Sequence, residues 1–175
     1  RIICIKIAKI NFLVSFLIIK KEMKKIITIL LLLSTYFVQA QSKKTDQCIK
    51  ALSNKDFIID HDNKASFKVE SKAAKKLLRI GRLANTKLIE ALSDPEKNVM
   101  AHWVLCQINF KTVTFAGPKT MLKDGEQVNM YYLGEEKGEG VVIFETKVNG
   151  EFKMYFDKPQ IEKIIVYWQK KTNGK

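Results

Sequence analysis

The chain has 175 residues, 46% of them hydrophobic, and carries 31 Lys and Arg against 18 Asp and Glu, a formal net charge of +13. Much of that basicity is at the front: residues 41–175 hold 24 basic and 17 acidic residues, a net of +7, which is ordinary for a soluble small domain. The lysines are dispersed, with short pairs at Lys75-Lys76 and Lys170-Lys171 among acids. No nucleic-acid partner is therefore expected; another envelope protein or an anionic polymer fits this surface better.

Residues 1–22, Arg1 to Glu22, are almost wholly Ile, Lys, Phe, Leu and Asn, the composition of translated A/T-rich DNA, and read as upstream translation ahead of a start at Met23. Lys24-Lys25, the apolar run Ile26 to Leu33, and Val38-Gln39-Ala40 before Gln41 follow in the order of a cleavable signal peptide over 23–40. Positive charge stays inside, the apolar core enters the translocon, and small residues fit the peptidase between Ala40 and Gln41. The apolar runs Ile10 to Ile19 and Ile26 to Leu33 are each shorter than the roughly 20 residues a span requires. No stable membrane span is expected after cleavage, and the protein is expected to be secreted or periplasmic.

Residues 41–175 are expected to form a single domain. Gln41 to Asp46 is a polar stub, after which Thr45 or Asp46 caps a short helix through about Ser53 with Cys48, Ile49 and Leu52 on one face. Phe57-Ile58-Ile59 reads as a brief extended segment followed by a turn over Asp60 to Lys64. Ser71 starts a helix whose stripe is Ala74, Leu77, Leu78 and Ile80, ending at Gly81. Leu83 to Leu92 and about Glu96 to Ile108 are two further helical pieces, separated by Ser93-Asp94-Pro95. Breaks this tight make antiparallel neighbours, so a short helical hairpin stack is expected here.

After Gly117-Pro118 the periodicity changes. Gln127 to Leu133, Gly140 to Val148 and Phe152 to Phe156 are rich in Val, Ile, Phe and Tyr, and Asn149-Gly150 is a strong hairpin signal. Gly134 to Gly140 reads as the loop between the first two strands. Asp157 and Pro159 begin a last helix, with Ile161, Ile164, Ile165 and Trp168 forming a face suited to lie on the sheet. The expected fold class is α+β: a short helical hairpin stack, a three-stranded antiparallel meander over 127–171 together with a C-terminal helix.

Leu77-Leu78-Arg79-Ile80-Gly81, Leu88-Ile89-Glu90-Ala91-Leu92, Asp94-Pro95, Val99 and Leu105-Cys106-Gln107-Ile108 together resemble one HEAT-type repeat of the short kind found in phycobilisome-lyase-like proteins. The resemblance covers 77–108 and implies two antiparallel helices serving as an interaction scaffold. The whole layout is similar to that of small exported bacterial proteins.

The chemistry offered by the sequence is sparse. His102 and Cys106 lie four apart on one helix face, which is metal-ligand spacing, and Cys48 or His61 could complete such a site. The same pair has the residue types of a thiol nucleophile and its base. In an oxidising compartment Cys48 and Cys106 could instead form a disulfide. Glu135, Glu136, Glu139 and Glu145 read as solvated acids near one loop. Trp103, Trp168, Tyr131, Tyr132 and Tyr155 read as packing residues, with Tyr167 off the stripe of its helix. The leading expectation is a non-enzymatic binding module without catalytic residues, metal or cofactor. The alternative is a metal-binding or thiol-dependent protein centred on His102 and Cys106.

Overall fold

The structure is a computed structural model and describes residue 36 and residues 39–61, 66–135 and 141–173. The upstream segment and the apolar run of the expected signal peptide lie outside the described residues, as do Glu136 and Glu139. The chain divides into two units, Arg1–Lys44 and Thr45–Lys175. In the first, Tyr36 and residues 39–44 are helical, so Ala40 and Gln41 both stand in helical backbone. Among the described residues, no helix is long and apolar enough to cross a membrane.

Helical residues 39–50 (α1) place Cys48 in the core of the second unit. A 3-10 turn, Asn54–Asp56, leads into β1 (Phe57–Asp60), which pairs antiparallel with β2 (Ser66–Val69). Helix α2 (Lys72–Ile80) begins where the Ser71 hydroxyl accepts the Ala74 N–H at 3.3 Å. It ends at Gly81, whose φ of 68° is strained for any residue with a Cβ. A second 3-10 turn, Gly81–Ala84, joins it to α3 (Asn85–Ala91), and α4 (Asn98–Asn109) follows.

Helix α4 organises the domain. Every residue from Asn98 to Cys106 is buried, as expected of a segment that, apart from Asn98 and His102, is apolar all round rather than on one stripe. It touches α2, α3, β4, β6 and the Asn54–Asp56 turn. No side chain of its own caps its start. Asn54 does so from a distance: its Oδ1 accepts the Met100 N–H at 3.1 Å, and its Nδ2 donates to the Pro95 carbonyl at 2.8 Å and to Asn98 Oδ1 at 3.0 Å.

The second sheet has four strands, β3 (Thr114–Lys123), β4 (Glu126–Gly134), β5 (Val141–Val148) and β6 (Glu151–Tyr155), antiparallel throughout in chain order. Two-residue turns join the hairpins, and Asp124-Gly125 and Asn149-Gly150 all have positive φ, as tight hairpins require. Tyr131, Leu133, Val141 and Ile143 of this sheet join the helices in one core. Helix α5 (Lys158–Asn173) closes the domain against α3, with Trp168 stacked on Phe110 at the end of α4.

The expected three-stranded meander with one helix upon it is thus incorrect. The class is α+β, but with a separate two-stranded sheet and a four-stranded one. Strand β3 escaped notice because nearly all its side chains face solvent: an edge strand held by backbone pairing shows no buried alternation. Helix α5 docks on the helical layer instead of the sheet because Trp168 finds its partners on and beside α4. Nor does 77–108 form a HEAT-type hairpin. Its pieces are α2, a 3-10 turn and α3 gathered around α4, whose residues Asn98 to Cys106 are all buried within the domain itself, so α4 is a central core helix and not one layer of a stacked repeat.

Candidate functional site

The structure does bring His102 and Cys106 together, with Sγ 3.4 Å from Nε2. The surrounding bonds fix the chemistry. Trp168 Nε1, which can only donate, lies 3.0 Å from His102 Nδ1, and the Leu133 carbonyl, which can only accept, lies 3.0 Å from Nε2. The ring is therefore the neutral tautomer with its proton on Nε2, and its one lone pair is taken by the indole. Burial pushes its pKa down to about 4, partly offset by the Leu133 carbonyl. Burial likewise drives the Cys106 thiol well above the usual range, with the Glu135 charge adding to it.

Such a pair has no base to receive the thiol proton, because Nε2 already carries one. It has no thiolate and no free imidazole nitrogen for a metal. His102 with Trp168 and Leu133 ties α4, α5 and β4 to one another. Cys48 and Cys106 are both buried free thiols. Among the described residues, no three His, Cys, Asp or Glu side chains are grouped to hold a metal ion. Glu135 is paired with Lys171 at 3.1 Å, and Tyr167 stands edge-on to Trp168 in the packing of α5.

A second polar centre lies at Glu145 on β5. Its register partner on β4 is Asn129 and on β6 is Met154, so it sits at the inward phase of the strand with Val141 and Ile143. The side chain is only 2% exposed. Oε2 accepts from the Tyr131 hydroxyl and from Asn129 Nδ2, both at 3.1 Å. Oε1 faces His61 Nε2 at 3.3 Å. Burial first, and the neighbouring Glu145 charge second, raise the Tyr131 pKa, so this hydroxyl stays protonated as a donor.

His61, just past β1, is part-exposed and lies on the Phe152 ring with centroids 4.5 Å apart. A carboxylate only accepts, so His61 carries its proton on Nε2 and in the neutral form keeps a lone pair on Nδ1. Around this centre opens a cleft of about 570 Å³ between β1 and β6. Ile58 and Phe152 border it at 45% and 53% exposure. No Ser, Thr or Cys is among the described residues lining it. The arrangement can hold a ligand by an aromatic face, an imidazole and a buried anion.

Sequence reading missed this centre by treating Glu145 as a solvated loop acid. A signal was present, since Glu145 continues the inward alternation of Val141 and Ile143, where an acid is out of place unless it has partners. No local pattern connects it to His61, which arrives from a different sheet.

No family model, curated protein or solved structure matches the chain. The resemblance to a HEAT-type, phycobilisome-lyase-like repeat thus finds no support in family comparison, in agreement with the central position of α4.

Proposed function

We propose that the chain is a small exported, non-enzymatic protein that binds another macromolecule of the envelope or medium through the cleft between β1 and β6. The observation that carries this reading is the pairing of exposed apolar side chains, Ile58 and Phe152, with a buried, fully oriented carboxylate at Glu145. Exposed apolar groups around an aligned polar contact are the usual makings of a recognition site. The signal-like order of residues 23–40 supports the exported setting.

The test is site-specific photocrosslinking in the native host, with benzoylphenylalanine at position 152 and, as control, at the still more exposed Leu83. One partner, identified by mass spectrometry in cell envelope or medium and joined at 152 but not at 83, is the expected result. Equal labelling at both positions, or none at 152, overturns the cleft as the binding face. Sequencing of the recovered protein should give Gln41 as its first residue; a chain still carrying Met23 overturns the exported form.

A further inference from the structure

We infer that the cleft takes an extended segment of a partner polypeptide as an added strand along β6, with a Lys or Arg of that segment directed at Glu145. This deepens the binding function proposed above and rests on it.

Three observations carry it. Among the described residues, strand β6 pairs only with β5, and β1 only with β2, so each has one edge with no described strand beside it. Gly150, Glu151, Phe152, Lys153 and Met154 all line the cleft. Consecutive strand residues point to opposite faces, so an unbroken run in one wall means that the cleft follows the strand's edge rather than one of its faces. Phe57, Ile58 and Ile59 line it on the other side in the same unbroken way. Two strands thus bound one groove, and the outward N–H and C=O groups of β6 are the partners that an extended backbone requires on one side.

Charge selects the side chain. Glu145 is a buried carboxylate with three donors around it, Tyr131, Asn129 and His61, and a carboxylate has about four acceptor sites. The remaining site is on Oε1, beside His61. With strands about 4.8 Å apart, a segment added to β6 lies about 10 Å from β5. A Lys or Arg side chain together with that of Glu145 spans this gap, passing the edge of the exposed Phe152 ring. At the rim Glu96 and Glu151 are balanced by Lys55 and Lys153, so the selecting charge is that of the buried Glu145.

The probe is a displayed library of random dodecapeptides selected on the full-length protein, with enriched peptides measured by fluorescence anisotropy. The expected peptides carry a fixed Lys or Arg within alternating β-branched or aromatic residues. Methylating alternate backbone nitrogens of such a peptide should weaken binding tenfold or more, and methylating the intervening ones should not. Exchanging its basic residue for norleucine should cost about tenfold with the native protein and almost nothing with Glu145→Gln, whose folding is checked by near-ultraviolet circular dichroism. Should Glu145→Gln fail to fold, Phe152→Ser serves as a second variant and should weaken the native peptide severalfold.

An absence of enriched peptides, tolerance of methylation at every nitrogen, or no preference for a basic residue overturns the strand mode. In that event a crosslink at position 152 alone would leave the binding function standing, whereas loss of both results would remove the two together.

Discussion

His102 and Glu145 are both buried polar side chains bordering the four-stranded sheet, yet their surroundings differ in kind. The first is closed in by Trp168, Leu133 and Cys106, with neither ring nitrogen available to anything else. The second is buried to a similar degree and held by three donors, but it ends at a cleft and shares its second oxygen with a part-exposed histidine. A buried polar group whose bonds all connect core elements serves the fold. One held by the fold and turned to an opening is set up for something outside it.

The largest effect that tests this contrast should come from Trp168, which is fully buried. Trp168→Ala should cost about 3–5 kcal/mol of unfolding free energy, as for other large core truncations. Trp168→Phe keeps most of the volume but leaves His102 Nδ1 without its donor, a loss of about 1–3 kcal/mol. Urea unfolding measures both, and an unchanged midpoint for Trp168→Phe would mean that the indole bond carries no weight.

Acid should act through His102 as well. Above pH 6.5 both folded and unfolded states hold this ring neutral, and its contribution is constant. As pH falls from 6.5 towards its folded pKa of about 4, the unfolded state takes a proton that the folded state refuses. Stability should then drop by about 1.4 kcal/mol per pH unit in that window and level off below it. His102→Asn should be less stable at pH 7.5 but lose this slope. Parallel slopes for the two proteins, from urea midpoints at several pH values, would overturn the assignment.

The start of α4 supplies a third test. Asn54→Ala removes the acceptor for the Met100 N–H and two donated bonds, and should cost about 2 kcal/mol, at the upper end for a helix cap. Asn54→Asp keeps the acceptor and should recover part of the loss. Equal destabilisation by both substitutions would show that the donated bonds, not the cap, matter.

How much of this was legible in the sequence varies with how local the cause is. The Ser71 cap, the Gly81 stop and the Asn149-Gly150 turn depend on neighbours in the chain, and they stand where the sequence puts them. Asp124-Gly125 is an equally local hairpin signal that was passed over, and with it strand β3. Helix α4 shows a subtler loss: apart from Asn98 and His102, residues 98–106 are apolar on every side, which carries no stripe and so gives no direction of packing. The Glu145 centre lies further out of reach, because it joins β5, β4 and the end of β1. Its one local trace is an acid at an inward strand position. Close spacing also misled, since four residues between His102 and Cys106 do bring the side chains together, but only the distant Trp168 and Leu133 decide which way the proton points.

The smallest expected effect is the one that bears most directly on the cleft. Ile58 and Phe152 are large apolar residues left in solvent, and single surface substitutions generally change stability by no more than about 0.5 kcal/mol. Phe152 has the ring of His61 against it and Lys147 Nζ 5.5 Å from its centroid, contacts that are weak at an exposed site. Ile58→Ser and Phe152→Ser should therefore unfold within about 0.5 kcal/mol of the parent, while crosslinking from position 152 to the cleft partner falls sharply in Ile58→Ser. If either substitution instead cost as much as Asn54→Ala, these side chains would belong to the framework of the fold, and the cleft would lose the apolar border on which its reading as a binding face depends. Near-neutral stability joined to lost crosslinking would separate the two centres cleanly: substitutions around His102 would move the unfolding midpoint, and substitutions around Glu145 would move partner capture.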